Sequence, residues 1–308
     1  MDLASFITRR LVYAALVLLA LSVLVFSILQ LVPGDPAVTV GGMGASQADI
    51  EVIRHQLGFD QPVWWQFLSW LGGLFTGDWG TSIVSREPVL PILIERFRMT
   101  LLLASAGILF AAVVGVTLGV NAALRANSVS DLLLSVIALI GVSAPIFWIG
   151  LILQLIFSVR LGLLPSTGAG SLSHLILPAL AIGGNSIGII MRMTRASLLE
   201  VLQQDYVRTA QAKGLKHRTV IYTHALRNAF VPILTVIGIQ FAYLMGGAVL
   251  IETVFVWPGI GKLLADSVFR RDFPIVQGAI LIIGAFFILV NTLVDFAYTI
   301  VDPRIKAS

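Results

Sequence analysis

The sequence contains no cysteine among its 308 residues, and only 12% of those residues are charged. Without cysteine, neither a disulfide framework nor a thiolate metal site is available to the fold. Soluble domains carry roughly a quarter charged residues, so the scarcity of charge indicates a membrane protein. The formal net charge of +4 does not indicate nucleic-acid binding, because membrane proteins collect their cations in cytoplasmic loops.

Long apolar runs are abundant instead. A helix needs about 20 mostly apolar residues to cross the hydrocarbon. The first run is longer than the apolar part of a signal peptide and has no small-residue cleavage site after it, so we expect it to be retained. Pro145 and Pro232 lie inside two of the runs and are tolerable where neighbouring groups satisfy the freed carbonyls. The six expected transmembrane helices are 11–32, 99–121, 132–158, 174–191, 229–251 and 275–300.

The distribution of Lys and Arg predicts the orientation of these helices. If the N-terminus is inside, the cytoplasmic loops hold most of the cations, as the positive-inside rule requires. We therefore predict an all-α membrane protein with six transmembrane helices and both termini in the cytoplasm. Its expected divisions are an N-terminal transmembrane helix (1–32), an extracytoplasmic segment (33–96), a five-helix core (97–301) and a cytoplasmic tail (302–308).

The extracytoplasmic segment contains two helical patterns. Ser46 and Asp49 have the spacing of a capping box, with Asp in place of the usual Glu or Gln. The sequence QPVWWQFLSWLGGLF (61–75) suits an interfacial helix in an aromatic belt. We expect these helices to cap the outer ends of the spans; a dedicated substrate site there is the alternative.

Two short motifs with enzymatic associations lack the context that their chemistry needs. GNSIG (184–188) fits the G-x-S-x-G pattern of a serine nucleophile, but it lies inside an expected membrane helix instead of a strand-turn-helix. PGIGK (258–262) resembles the end of a phosphate loop, but Val256 replaces its first glycine and Leu263 its Ser or Thr. The four histidines lack metal-ligand spacing. We expect this chain to be no enzyme and to bind no metal or cofactor itself.

Ionisable residues are absent from the central thirds of the six expected spans. Ion-coupled carriers depend on such residues, so a transport role would need an energy source outside this chain. The polar residues at mid-depth are uncharged, and each either lines a path or forms an interhelical hydrogen bond. These candidate path-lining residues are Gln154, Asn185, Ser186 and Gln240.

The stretch DYVRTAQAKGLKHRT (205–219) interrupts the apolar pattern with a short basic segment. Burying its Lys and Arg residues in hydrocarbon would cost on the order of 10 kcal/mol, so the segment lies outside the membrane. Asp205 is the expected N-cap, and Gly214 suits the left-handed conformation that ends a helix. A helix of about two turns is marginal alone, so we expect it to pack against a partner; a solvated loop is the alternative. The residues singled out are Asp205, Tyr206, Arg208, Thr209, Ala210, Lys213 and Gly214.

The same stretch resembles the EAA loop of ABC-importer permeases. Arg208, Thr209 and Ala210 take the places of its Glu-Ala-Ala, and Gly214 takes the place of its glycine. Fuller strings are similar to the peptide and nickel branch of these permeases, and the long first outer loop resembles that of its B-type subunit. The strings are DYVRTAQAKGL (205–215), HALRNAFVPIL (224–234), LVPGDP (31–36), LGFDQPVWWQF (57–67), GDWGTS (77–82), LPSTGAG (164–170), ETVFVWPGIGKLL (252–264), RRDFPIVQG (270–278) and VDPRI (301–305).

This resemblance implies a type I ABC-importer permease fold, in a bacterial inner membrane, and a specific assembly. A second, C-type permease would form a heterodimer with this chain, surrounded by membrane lipid and without nucleic acid. Two cytoplasmic ATPases, which use ATP and Mg²⁺, would bind the coupling loops (201–220 here). An extracytoplasmic solute-binding protein would deliver the substrate. Residues 205–214 would form the coupling helix.

The resemblance leaves the substrate open among related compounds. We expect short peptides, with glutathione or nickel complexes as alternatives handled by the same machinery. A pore or secondary carrier that acts without ATPases is the alternative from a different class. In ETVFVWPGIGKLL we expect an outer hairpin whose Trp257, Pro258 and Gly259 form a gate or touch the binding protein; a plain interfacial turn is the alternative.

Overall fold

The structure, a computed structural model, describes residues 3–31, 36–41, 44–56 and 58–301. The expected tail (302–308) and Leu57 lie outside the described residues. Within that part of the chain the regular structure is helical, apart from an isolated bridge between Thr81 and Pro88. The prediction of an all-α protein is confirmed. The elements are α1 (Leu3–Gln30), α2 (Pro36–Gly41), α3 (Gln47–Gln56), α4 (Val63–Thr76), α5 (Val89–Leu124), α6 (Val129–Ser143), α7 (Ile146–Leu153), a π-helical segment (Gln154–Arg160), α8 (Leu172–Leu202), α9 (Asp205–Ala212), α10 (His217–Thr219), a second π-helical segment (Val220–Ala225), α11 (Leu226–Val254), α12 (Ile260–Arg270) and α13 (Phe273–Val301).

Among the residues that the structure describes, five helical stretches are long and apolar enough to cross a membrane, and a bent pair would make a sixth. The bent pair is α6 followed by α7 and the first π-helical segment, with an angle of 102° between its halves. The five stretches are Thr8–Ile28, Val89–Leu124, Leu172–Leu202, His217–Val254 and Phe273–Val294.

The prediction that 132–158 forms one helix containing Pro145 is wrong. α6 ends at Ser143, and Pro145 is the N-cap of α7, with φ −60° and ψ 131°. Proline disfavours the helical conformation in the residue before it, and Ala144 accordingly has an extended backbone, with ψ 135°. Pro232 lies inside α11 as predicted.

The spanning helices also extend beyond their predicted ends. α5 begins at Val89, well before residue 99 and within the segment predicted to be extracytoplasmic, and α8 continues past residue 191 to Leu202. The added turns carry charged residues such as Arg98 and Arg192. Hydropathy locates only the part of a helix that can enter hydrocarbon, whereas backbone hydrogen bonding continues into the polar region.

One compact unit consists of Thr100–Pro258 and the described part of 287–308, and α8 lies at its centre. α6, α7 and α11 pack against α8, and α5 approaches it through glycines. A methyl group on Gly119 would overlap Thr194, and one on Gly183 would overlap the backbone of Gly107. Small residues at these crossings let the helix backbones come close, as is usual between membrane helices.

The other compact unit consists of the described residues of 2–99 together with Gly259–Phe286. α1 contacts α4 through the ring of Phe26, whose centroid lies 5.4 Å from that of Phe67 and 5.7 Å from that of Trp70. The start of α5 packs with α12 and the start of α13. The buried residues of this core are Val89, Leu93, Ile260, Ile275 and Ala279.

The predicted capping box is present at the start of α3. The backbone N–H of Ser46 donates to Asp49 Oδ2 at 3.0 Å, and the N–H of Asp49 donates to Ser46 Oγ at 3.3 Å. Hydrogen bonds from the Ser46 hydroxyl and N–H lower the pKa of the Asp49 carboxyl below its ordinary value. α3 and α4 bury none of their residues within the chain, and the interfacial position of α4 stays a prediction.

Candidate functional site

The 205–219 stretch folds into a short helix that ends at a left-handed glycine. α9 covers Asp205–Ala212, and Gly214 has φ +74°, so the predicted helix and its end are confirmed. The N–H of Gly214 donates to the carbonyl of Gln211 at 2.9 Å. The prediction that Asp205 is the N-cap is wrong. Gln204 holds that position with an extended backbone, and its side chain forms no capping hydrogen bond.

α9 is held by one apolar face. Val207 is fully buried and Ala210 is 7% exposed, and both pack with Val220 against Val201 and Leu202. These contacts join the short helix to the end of α8 and to the start of the second π-helical segment. A helix of two turns is marginal in water, so this seat explains why α9 is formed.

A hydrogen bond adds a second attachment. The side-chain amide of Asn228, in the first turn of α11, donates to the hydroxyl of Tyr206 at 2.7 Å. The hydroxyl of Thr209 donates to the carbonyl of Asp205 at 2.9 Å, inside α9 itself. α9 therefore contacts the helices on both sides of it in the sequence.

The opposite surface of the stretch is exposed and basic. Every residue from 211 to 218 is exposed, as is Arg208. Arg208 Nη1 lies 3.7 Å from Asp205 Oδ1, and their side chains are 72% and 98% exposed. Exposed ion pairs of this kind contribute little stability. The stretch thus presents Arg208 on α9, whose position is fixed by its buried face, and Lys213, Lys216 and Arg218 on the residues that follow α9.

The stretch leads directly into the core of its unit. In the second π-helical segment Ile221 and Ala225 are buried, and they pack with Leu198 of α8 and with Ala229 and Ile233 of α11. π-helical turns are rare and frequently lie at functional sites. Val207 and Ala210 of α9 contact Val220, the first residue of this segment, so α9 is linked through it to α8 and α11.

The four candidate path-lining residues lie on three different elements. Ser186 on α8 and Gln240 on α11 are buried, with 2% and 6% of their surface exposed. The amide of Asn185 donates to the carbonyl of Val142 at 2.9 Å, which joins α8 to α6. Gln154 donates to the carbonyls of Ser166 and Val254. Two of the four therefore form hydrogen bonds between segments, and a role in lining a path stays a prediction for all four.

The candidate gate residues form a compact turn after α11. Trp257 is 2% exposed, and its N–H donates to the carbonyl of Glu252 at 2.8 Å. Val256 has φ +52° and an exposed side chain. Pro258 is half-buried, and Gly259 is the N-cap of α12. A gating role for Trp257, Pro258 and Gly259 stays a prediction.

Sequence reasoning missed two polar pairs that join helices. The guanidinium of Arg195 donates to both oxygens of Asp131 at 2.7 Å, which joins α8 to the first turn of α6. The hydroxyl of Thr100 donates to the carboxylate of Glu252, and both residues are fully buried. One signal was available, since Asp131 follows Ser128 at capping-box spacing, and Ser128 does cap α6.

Apolar spanning helices joined by a short helix and an exposed basic turn define a polytopic α-helical membrane protein. Residues 115–307 match the family described as binding-protein-dependent transport system inner membrane component, and residues 3–104 match the N-terminal family of the same transport systems. The chain belongs to this family of inner-membrane transport permeases. Among the described residues, no group of three or more His, Cys, Asp or Glu is placed to hold a metal ion.

Two relatives are similar over nearly their whole length. The Glutathione transport system permease protein GsiC of Escherichia coli (strain K12) is 42% identical over 302 residues, covering 98% of this chain and 99% of the relative. The Probable peptide ABC transporter permease protein y4tP of Sinorhizobium fredii (strain NBRC 101917 / NGR234) is 42% identical over 309 residues, again covering 98% and 99%. The chain is thus a membrane permease of an ABC importer, and its family is a transport component, not a catalytic subunit.

Proposed function

We propose that this permease imports short peptides, glutathione among them, by coupling α9 to ATPases in the cytoplasm. The observation that carries this proposal is the form of the 205–218 stretch, in which α9 is seated by Val207 and Ala210, ended by Gly214 and followed by exposed Lys and Arg residues. Exposed cations directly after a helix of fixed position suit an acidic cleft of a partner subunit.

The orientation of the chain in the membrane follows from placing α9 in the cytoplasm. With α9 in the cytoplasm and six crossings, counting the bent pair as one, both termini lie in the cytoplasm. In this orientation the chain divides into an N-terminal transmembrane helix (1–32), an extracytoplasmic segment (33–96), a transport core (97–301) and a cytoplasmic tail (302–308). The turn after α11 lies on the outer side.

The partners follow from the family. A second permease of the C type pairs with this chain, and two ATPases that hold ATP and Mg²⁺ bind the two coupling loops. An extracytoplasmic solute-binding protein delivers the substrate. ATP binding draws the ATPases together, and α9 transmits that movement to α8 and α11 through its buried face.

The substrate class is supported by the names of the relatives. One is named for glutathione transport and another for peptide transport, and glutathione is itself a tripeptide. Nickel complexes are the less favoured alternative, because the described residues contain no metal-ligand cluster that would select an ion. The permease would then recognise peptide groups, with the binding protein supplying most of the selectivity.

Reconstitution tests the proposal. The permease pair, its ATPases and the binding protein are placed in lipid vesicles, and uptake of a dipeptide, glutathione and a nickel chelate is compared with and without ATP. We expect ATP-dependent uptake of at least one peptide. Uptake of a peptide without ATPases would overturn the coupling role of α9, and uptake of the nickel chelate alone would overturn the substrate class.

A further inference from the structure

The turn that follows α11, residues 254–258, is packed tightly into its unit. Phe255 is 1% exposed and Trp257 is 2% exposed. The N–H of Phe255 donates to the carbonyl of Ile251 at 2.9 Å, and the N–H of Trp257 donates to that of Glu252 at 2.8 Å. The turn therefore has a defined shape, and its position depends on what it is attached to.

Gln154 attaches this turn to a second loop. Its amide nitrogen Nε2 donates to the carbonyl of Val254 at 3.2 Å and to the carbonyl of Ser166 at 2.8 Å. A carboxamide nitrogen has two hydrogens, so both are used. Val254 lies at the end of α11, and Ser166 lies in the 161–171 loop. One half-buried side chain thus joins its own π-helical segment and the adjacent 161–171 loop to the end of α11, 100 positions further along the chain.

Two backbone contacts reinforce the same attachment. The N–H of Gly168 donates to the carbonyl of Phe255 at 2.8 Å, which joins the 161–171 loop directly to the turn. A methyl group placed on Gly150 of α7 would lie 3.1 Å from the ring of Phe255. α7, the π-helical segment 154–160, the 161–171 loop and the turn therefore pack as one body.

That body begins at the break between α6 and α7. The two halves of this span are bent by 102°, and Ala144 and Pro145 between them have extended backbones. Hinges of moving segments are typically a few residues at the ends of helices that absorb backbone changes. The structure thus contains a packed body and, at its start, a break with the backbone form that hinges use.

We propose that Gln154 is a positioning residue of the gate: it makes the 254–258 turn move together with α7 and the 161–171 loop, pivoting at Ala144–Pro145. The inference rests on the proposed function, in which this turn lies on the outer side of the membrane, and on the prediction that Trp257, Pro258 and Gly259 form a gate. In this role Gln154 acts through the two carbonyls that it binds. The competing possibility is that the turn moves alone and separates from the 161–171 loop when the path opens.

A reversible cross-link between the two segments decides between these possibilities. The native chain has no cysteine, so the double variant Ser166→Cys with Val254→Cys offers one reactive pair, and the two backbones are close because they share the Gln154 nitrogen. The two cysteines are cross-linked with a short bis-methanethiosulfonate reagent in the reconstituted importer. Segments that move together tolerate the link, so we expect uptake within about two-fold of the uncross-linked protein. Uptake that is abolished by the link and restored by reduction would overturn the proposal.

A variant that removes the two Gln154 hydrogen bonds gives the complementary measurement. Gln154→Leu keeps a similar side-chain volume but leaves both carbonyls without their donor, and each lost hydrogen bond corresponds to roughly a five-fold effect, so uptake should fall about five-fold or more. Adding the cross-linked 166–254 pair to Gln154→Leu should restore uptake. A residue that only stabilised the fold would lower the yield of assembled importer and would gain nothing from the link.

A matched control and a separate readout keep the outcomes distinct. Ser158→Ala removes the hydrogen bond from the Ser158 hydroxyl to the Leu164 carbonyl, 2.6 Å long, in the same region but without contact to the turn. The importer with Ser158→Ala should retain uptake. Normal uptake by the Gln154→Leu importer would overturn this inference. So would a fully assembled Gln154→Leu importer whose uptake is not restored by the 166–254 cross-link. Loss of ATP-dependent uptake in the unmodified importer would instead count against the proposed function.

Discussion

The hydroxyl of Ser82 donates a hydrogen bond to the carboxylate of Asp272, which lies 190 positions further along the chain. The same carboxylate accepts from the backbone N–H groups of Ile83 at 3.1 Å and Val84 at 3.4 Å. Asp272 directly precedes α13, and its carbonyl accepts from the N–H of Val276 at 3.0 Å. A single buried acid therefore fixes the 82–84 loop to the start of α13.

Replacing Asp272 with alanine should destabilise its compact unit. The Ser82 hydroxyl and two N–H groups would lose their acceptor in a buried place, which should lower the free energy of unfolding by about 2–4 kcal/mol. Unfolding of the detergent-purified chain by dodecyl sulfate measures the change. Asp266→Ala is the matched control, because Asp266 forms only a half-exposed ion pair with Lys262, and it should cost less than about 1 kcal/mol. Equal effects of the two variants would contradict the assigned role.

The ion pair between Asp131 and Arg195 predicts non-additive effects. The side chain of Asp131 is 7% exposed and that of Arg195 is 29% exposed, so Arg195→Ala leaves a carboxylate with little access to water. We expect it to lower the free energy of unfolding by about 3 kcal/mol. Asp131→Ala with Arg195→Ala should cost clearly less than the sum of the single changes, because no charge is then left alone.

Arg192→Ala provides the comparison on the same helix. Arg192 is exposed, and its loss should change the free energy of unfolding by less than about 0.5 kcal/mol. Strictly additive single and double variants, measured by the same titration, would show that the pair contributes no coupling.

Features that depend on local sequence were predictable. The helices, the Ser46–Asp49 capping box and the left-handed Gly214 follow from periodicity, residue spacing and backbone preference, and the structure has all three. Even the errors were local. Gln204 replaced Asp205 as the N-cap, and Pro145 ended a helix that hydropathy had treated as continuous.

Contacts between distant residues were not predictable from one sequence. Asp272 and Ser82 each lie in a recognisable string, but nothing in either string indicates that the two meet. Gln154 illustrates the same limit. Its mid-span position predicts either a path or an interhelical bond, and only the packing reveals that it holds the turn after α11.

The proposed orientation can be tested with single cysteines. Glu51→Cys and Arg270→Cys, at exposed positions of α3 and α12, should react with an impermeant thiol reagent in intact cells. Arg125→Cys and Lys216→Cys, also exposed, should react only after lysis, because the positive-inside rule places both loops in the cytoplasm. Labelling of Lys216→Cys from outside the cell would exclude the coupling role of α9.

Gly214 offers the sharpest test of that coupling role. Its φ of +74° is in the left-handed region, and an added Cβ would meet nothing within 4 Å. A valine there is therefore strained by its backbone alone, by roughly 1–2 kcal/mol, and the chain after Lys213 would be redirected. Membrane insertion and pairing with the second permease should survive, since the spanning helices contain no part of this turn.

The matched control for Gly214→Val is Gly77→Val. Gly77 ends α4 with φ +84° and likewise has nothing within 4 Å of an added Cβ, so it carries the same strain away from α9. ATP hydrolysis in reconstituted vesicles, with and without loaded binding protein, is the readout. Gly77→Val should keep the stimulation by binding protein and the uptake of substrate, whereas Gly214→Val should lose most of both while assembling normally. If Gly214→Val is stimulated as well as the unmodified importer, the 205–214 helix does not transmit the closure of the ATPases, and its exposed cations serve only to keep the loop in the cytoplasm.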